Sequence, residues 1–390
     1  MHRQPIFAAA ALGLVAATLS PPLPLAGQGE VVRSEEHAFR VVTVAEGLQN
    51  PWSMAFLPNG DLLVTERPGR LRIVRSGVLS PDPIPGTPEV RAMGQGGLLE
   101  VALHPNFAQN GMLYLTYSKP SADGSQATTA LARGHFDGSS IHELSDIFVA
   151  EAWANGGNHF GSRIVFNDDG TLFMTIGDRG ANPLGGPTTE HPAQDPSNHQ
   201  GVILRLNDDG SVPADNPFVG REGYRPEIWA YGIRSPQGLA KDAAGNLWEA
   251  EHGPQGGDEL NLIVRGANYG WPVVGHGVNY GGAVIHSGTS EPGMTGPAHY
   301  WVPSIGTSGL MIYQGDAFPQ WKGSAFVGGL ALPRVARVTL DGTRAVGEET
   351  LLEGLGRVRD IREGPDGFIY VAVEARGGAP TPVVRLEPAP

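Results

Sequence analysis

The chain has 390 residues, of which 56 are Gly and 33 Pro, and that density leaves little room for long helices. Hydrophobic residues make up 40% of it, enough for a large core and too many for a disordered chain. Acids outnumber bases 40 to 27, and the net charge of −13 argues against a nucleic-acid or anionic-membrane partner; the absence of Cys excludes disulfides, thiolate metal sites, Fe–S clusters and a Cys nucleophile.

The N-terminus reads as an export signal. His2 and Arg3 give a short basic start, and Ile6 to Leu19 is an apolar run. That run is shorter than the ~20 residues a bilayer-spanning helix needs. Pro21 to Gly27 follows with small, helix-breaking residues. We expect cleavage near Ala26, so that residues 1–26 are the signal and residues 27–390 form one domain. That domain is expected in a periplasm or outside the cell, with no stable membrane insertion.

From there the chain alternates short apolar runs with turn signals. Met54-Ala55-Phe56, Asn59-Gly60 and Leu62-Leu63-Val64 form the first unit. The pattern returns around Asn110-Gly111, Asp169-Gly170 and Gly245-Asn246, more weakly between Leu310 and Val327, and again at Asp366-Gly367. Asn-Gly and Asp-Gly between β runs signal hairpins, here expected as type I′ turns with positive φ. Six copies at roughly 60 residues each fit four-stranded blades, so the sequence predicts an all-β, six-bladed propeller of antiparallel blades. A pair of β-sandwiches is the rival. Asn155–Gly161, Gly180–Gln200 and Glu251–Gly282 are long connections, where function tends to sit on a rigid scaffold.

Three segments carry candidate chemistry. His159 lies among small residues in Asn155–Gly161, open to a ligand and suited to a general base, or else a turn His that bonds only backbone. Glu251-His252-Gly253-Pro254-Gln255-Gly256-Gly257-Asp258-Glu259 combines carboxylates with free carbonyls, a set suited to Ca²⁺ although not at EF-hand spacing, or else a solvated acidic turn. Arg234 sits in Tyr231–Gly238, and Arg357 and Arg359 alternate along a predicted strand and so share one face. Two such cations either pair with nearby acids or clamp ligand carboxylates.

Taken in order, Gly94–Leu98, Asn158–Arg163, Tyr231–Gly238, Glu251–Glu259, Asn268–Pro272 and Arg357–Asp360 resemble segments of the soluble quinoprotein glucose dehydrogenase family, more closely its aldose sugar dehydrogenase branch. The resemblance runs from about Gly47 to Leu386. It implies a six-bladed propeller that binds pyrroloquinoline quinone (PQQ) and Ca²⁺ and oxidises aldose sugars at C1 to lactones, passing electrons to an acceptor that the sequence does not name. Residue by residue it implies His159 as the catalytic base, with Gln95, Arg234 and Gln237 as cofactor contacts. Ser235 stands where the family has Asn. Gly253 and Pro254 match the carbonyl ligands of the catalytic Ca²⁺. Asp258, Glu259 and Tyr269, with Tyr280, fall where a further Ca²⁺ site lies, and Arg357 and Arg359 match the pair that clamps the cofactor carboxylates. Ala331 stands where members often carry a Lys facing the quinone, and Arg334 is the candidate to replace it. Two other functions for such a propeller stay open. One is a calcium-dependent lactonase or esterase, with carboxylates or amides converging on a metal in the central channel. The other is a non-catalytic propeller that binds a sugar or a protein.

Overall fold

The computed structural model describes Gly29 and residues 31–390, so the expected export signal, residues 1–26, lies outside the described residues. Among the described residues, no helix is long and apolar enough to cross a membrane. The strands fall into six antiparallel sheets. Blades 1 to 5 are four-stranded and span residues 51–79, 98–149, 164–231, 236–301 and 307–351. Blade 6 takes Arg357–Glu363, Ile369–Glu374 and Pro380–Pro388 from the C-terminus and Ala38–Gln49 from the N-terminus, with Val31–Arg33 as an extra outer strand. Val41 pairs with Leu386 and Val42 with Arg385, so the two ends of the chain close the ring through a β ladder.

The first strands are Pro51–Phe56, Leu98–Leu103, Ile164–Phe166, Pro236–Lys241, Thr307–Ile312 and Arg357–Glu363. Each contacts the first strand of the next blade, and the sixth returns to the first. This closed cycle is a six-bladed propeller and rules out the sandwich pair. Because side chains alternate across a strand, each middle strand feeds two seams. Leu62 and Val64 pack with Tyr370 and Ala372 of blade 6, whereas Leu63 packs with Leu98 and Leu115 of blade 2. The core is therefore layered between blades, and central strands such as Leu62–Glu66 are buried on both faces. Each large aliphatic side chain buried this way contributes ~1.5–3 kcal/mol.

The repeated Asx-Gly turns join strands 1 and 2 of the blades, but not as type I′ turns. In blade 1 the Gly60 N–H donates to the Leu57 carbonyl and the Leu57 N–H to that of Asp61. The same pair of bonds recurs at Asn167–Thr171, Asp242–Asn246 and Gly364–Phe368. Only the glycine has positive φ (87° at Gly60, 85° at Gly170), which is a type I turn closed by a left-handed Gly and one residue longer than expected.

Where the first strands converge, the channel is filled by charge. Arg163, 2% exposed, directs Nη1 to 2.9 Å from both Glu100 Oε2 and Asp360 Oδ1, and its Nε donates to the Gln237 carbonyl at 2.7 Å. Its guanidinium carbon also lies 4.2 Å from the centre of the Trp52 ring. Arg362 reaches the same two acids, 2.6 Å from Glu100 and 3.0 Å from Asp360. Removing one partner leaves buried charge uncompensated. Arg163→Met should therefore lower stability by about 3–5 kcal/mol in denaturant titration. Arg344→Met, which breaks the exposed pair with Asp341, should cost less than about 1 kcal/mol. Equal effects would show that the channel network is not a structural centre.

Candidate active site

In this meander, connections that precede a first strand and turns between strands 2 and 3 lie at one end of the ring. The Asx-Gly turns lie at the other. Gln95, His159, Arg234 and Ser235 all precede first strands, while Arg67, Asp178, Gly253, Ala331 and Arg376 follow second strands. Topology alone therefore gathers them on one end face.

His159 is fixed before any ligand arrives. Its φ is 52°, a left-handed conformation unusual for a side-chain-bearing residue. Gly177 passes so close that an added Cβ would sit 2.4 Å from the His159 carbonyl oxygen. The His159 N–H donates to Gln95 Oε1 at 2.8 Å, and the Gln95 N–H donates to the Gly157 carbonyl at 2.7 Å. The imidazole Nδ1 lies 2.5 Å from Asp178 Oδ1. Asp178 is fully buried; it also accepts from the indole N–H of Trp271 at 2.8 Å and the Gly180 N–H at 2.9 Å. Burial would raise its pKa, but the charge and hydrogen bond of His159, together with Arg234, hold it below the usual value. An ionised Asp178 fixes the proton on Nδ1 and leaves Nε2 as the working nitrogen. Arg179 braces the same loop, stacked 3.5 Å over the Phe160 ring and bonded to the Asn158 and Gly156 carbonyls.

Arg234 is buried, its guanidinium 5.1 Å over the Trp271 ring and its Nη1 donating to the carbonyls of His252 and Gly253 at 3.0 and 2.9 Å. The His252 ring is pushed down to about 3 by burial and by Arg234, so it stays neutral and donates Nε2–H to the Thr307 carbonyl at 2.6 Å. Ser235 is wholly buried and its hydroxyl accepts from Gln237 Nε2 at 3.2 Å.

A cavity of about 290 Å³ opens beside these groups. Gln95 and Gln237 line it together with Gly253, Pro254 and Asp258 of blade 4, Ala331 of blade 5 and Arg357 and Arg359 of blade 6. Tyr280 forms part of its rim and is 68% exposed. His159 and Arg234 do not line it themselves but stand directly behind lining residues: the His159 N–H bonds Gln95, and Arg234 bonds the carbonyls of His252 and Gly253. Arg334 points elsewhere, to Thr350 and Glu353. Arg357 and Arg359 share one acid: Glu374 lies opposite Arg357 in the hairpin and accepts from both, at 2.9 and 2.7 Å.

The four residues assigned to the further metal site do not converge. Asp258 and Glu259 are neighbours on one strand and face opposite sides. Asp258 accepts backbone N–H groups of Gly253, Gly306 and Thr307. The Tyr269 hydroxyl donates to the Leu262 carbonyl, and Tyr280 is on the cavity rim. Glu259 instead joins Glu251, directly opposite, and the pair Glu249 and Asn261. Asn261 Nδ2 donates to all three carboxylates, at 3.1 Å to Glu249, 3.3 Å to Glu251 and 3.5 Å to Glu259. Burial and mutual repulsion raise the pKa values of Glu249 and Glu259 well above the usual range. Glu249 Oε1 and Asn261 Oδ1 are buried without a partner, which suits a hard cation.

Asp178, Glu374, Glu249 and Asn261 were missed by sequence reasoning, and Glu251 entered only as the start of the acidic segment. The hairpin register opposing Arg357 to Glu374 is the signal that could have found one of them. Burial would raise the Glu374 pKa, but Arg359 and Arg357 hold it at about 2, against an ordinary 4.5. A depressed carboxylate stabilises the fold above its unfolded pKa and loses that contribution as pH falls through the folded value. The stability advantage of the wild type over Glu374→Gln should be about 3 kcal/mol, flat from pH 7 to 5, and should shrink between pH 4.5 and 2. An advantage independent of pH would refute ionic pairing.

The family described as Glucose / Sorbosone dehydrogenase matches residues 48–384. Aldose sugar dehydrogenase of Escherichia coli (strain K12) is 38% identical over 385 residues, covering 97% of this chain and 98% of that protein. Its apo crystal structure superposes with a TM-score of 0.83, at 39% identity over 90% of this chain and all of that one. The PQQ-bound aldose sugar dehydrogenase of Streptomyces coelicolor has a TM-score of 0.73 at 29% identity, covering 91% of this chain and 99% of that one. Since the match runs from one ring-closing strand to the other and takes in every cavity residue named above, the chain belongs to the glucose/sorbosone dehydrogenase family.

Proposed function

We propose that this protein is a PQQ- and Ca²⁺-dependent dehydrogenase that oxidises aldose sugars at C1 to lactones. The observation that carries the reading is a single cavity with guanidiniums on one wall, the peptide oxygens of Gly253 and Pro254 on another, and an aspartate-held imidazole at its border. Arg357 and Arg359 would hold carboxylates of PQQ, Gln95 and Gln237 its polar edge, and the Gly253 and Pro254 carbonyls the Ca²⁺ beside it. When bound, PQQ would supply the two-electron oxidant for a hydride leaving sugar C1, and Ca²⁺ would supply Lewis acidity. His159 Nε2 takes the C1 hydroxyl proton, and Asp178 stabilises the imidazolium that forms. Arg234, anchored on the Gly253 carbonyl, would offer positive charge to the oxygen on which negative charge develops. The names of the relatives support the sugar and PQQ assignments. The basic start and apolar run at residues 2–19 support export. A channel lactonase is disfavoured because Glu100 and Asp360 are already engaged by Arg163 and Arg362.

Adding PQQ and Ca²⁺ to the apoprotein should give a quinone spectrum that aldose bleaches, with sugar-dependent dye reduction. Lactone hydrolysis without PQQ would overturn the reading. His159→Ala should bind PQQ yet lose about 10²–10⁴ in kcat, and Asp178→Asn should lose a comparable factor.

We also place a structural Ca²⁺ at Glu249, Glu251, Glu259 and Asn261 in place of the Asp258-centred set. Chelation should lower Tm by several degrees and Ca²⁺ should restore it, because a cation bound only by the folded state stabilises it. In the Glu249→Gln/Glu259→Gln double variant Tm should no longer respond to Ca²⁺. An unchanged response would place the cation elsewhere.

A further inference from the structure

The cavity holds more cation than its own acids balance. Glu374 is shared by Arg357 and Arg359. Arg67, on the turn between strands 2 and 3 of blade 1, faces the same group. Glu374, Arg359 and Arg357 are the charges that act on it, and its Nε is buried without a partner. A further guanidinium comes from Arg376, on the hairpin turn that follows Glu374 and is closed by the Gly378 N–H donating to the Ala375 carbonyl at 3.2 Å. Arg376 is exposed, lines the cavity beside Arg357 and Arg359, and has no ion pair among the described residues. Asp258 offers little counterweight, since its carboxylate is occupied by three backbone N–H groups. On a chain of net charge −13, this excess is local. Two of the four guanidiniums are tied to one acid. The free one stands at the mouth on a short turn.

We propose that Arg376 is the capture cation of this site: it pairs with a carboxylate of PQQ at the cavity mouth and supplies there the positive charge that Ala331 cannot. This rests on the PQQ reading above. Arg334, turned to Thr350 and Glu353, is excluded from that role. A rim charge acts mainly through association rate and salt dependence, whereas Arg357 and Arg359, desolvated and hydrogen-bonded, act through residence time.

The test is titration and stopped-flow binding of PQQ to the Ca²⁺-loaded apoprotein at low and high salt, followed by cofactor absorbance or by quenching of intrinsic fluorescence. Arg376→Ala should raise Kd about 3–10-fold, chiefly by slower association, with a weaker salt dependence. Arg376→Glu should raise it further, Arg376→Lys should stay close to wild type, and Arg334→Ala should bind as wild type does. Arg376 is exposed and Arg334 partly so, and all four variants should melt as the wild type does. If the wild type binds PQQ and Arg376→Ala and Arg376→Glu match it in Kd and salt dependence, the capture role is wrong while the cofactor reading stands. If the wild type does not bind PQQ, both fall.

Discussion

Arg163 is the side chain on which the rest of the molecule depends. Six first strands meet at a channel too narrow for a common apolar core, and their inward side chains must satisfy one another. Arg163 spans that channel. It bonds Glu100 of blade 2, Asp360 of blade 6 and the backbone carbonyls of Gln237 and Arg359, and it stacks on Trp52 of blade 1. A planar guanidinium with five donors in a fixed fork can do this where a lysine cannot. Two of its partners, Gln237 and Arg359, have their own side chains in the cavity. The network that holds the ring closed is therefore also the floor that sets the spacing of the site. Stability and site geometry are coupled here through the backbone carbonyls of Gln237 and Arg359 rather than through their side chains.

Above that floor, charge is sorted by blade. Blade 6 contributes guanidiniums, blade 4 contributes peptide oxygens and buried carboxylates, and the imidazole stands on the connection entering blade 3. Cation and anion sites are thus placed on different rigid sheets, with no opportunity to collapse onto one another as they would on one flexible loop. The shared acid Glu374 moderates repulsion between Arg357 and Arg359 without neutralising both. A ligand that carries several carboxylates completes what the protein leaves unbalanced.

The fold was legible because propeller repeats write themselves into turns: Asn59-Gly60, Asp169-Gly170 and Asp366-Gly367 mark the first hairpins of blades 1, 3 and 6. Their conformation was misjudged because the dipeptide alone does not reveal whether the first residue or only the glycine takes positive φ. Sequence motifs located His159, Arg357 and Arg359 but not their partners. Asp178 stands nineteen residues from His159 and reaches it only because the strand Leu172–Ile176 returns beside the first strand of its blade. The acid cluster was misassigned for a related reason. Asp258 and Glu259 look like a unit in sequence, but the two-residue period of a strand sends them to opposite faces, and Glu259 faces Glu251 across the ladder.

The site divides into a part that is set in advance and a part left free. His159 has its backbone conformation, its N–H and its Nδ1 all committed to neighbours, and Arg179 is stacked beneath its loop. An imidazole so held cannot rotate away, and little reorganisation would remain for a proton transfer to it. The left-handed φ costs on the order of 1–3 kcal/mol, which the dense packing around Gly177 and Gln95 offsets. At the mouth the arrangement is opposite: Arg376 and Tyr280 are exposed. Packing and hydrogen bonds are concentrated around the imidazole, and exposed charge stands at the mouth, the division that capture at the rim followed by fixed chemistry inside would require.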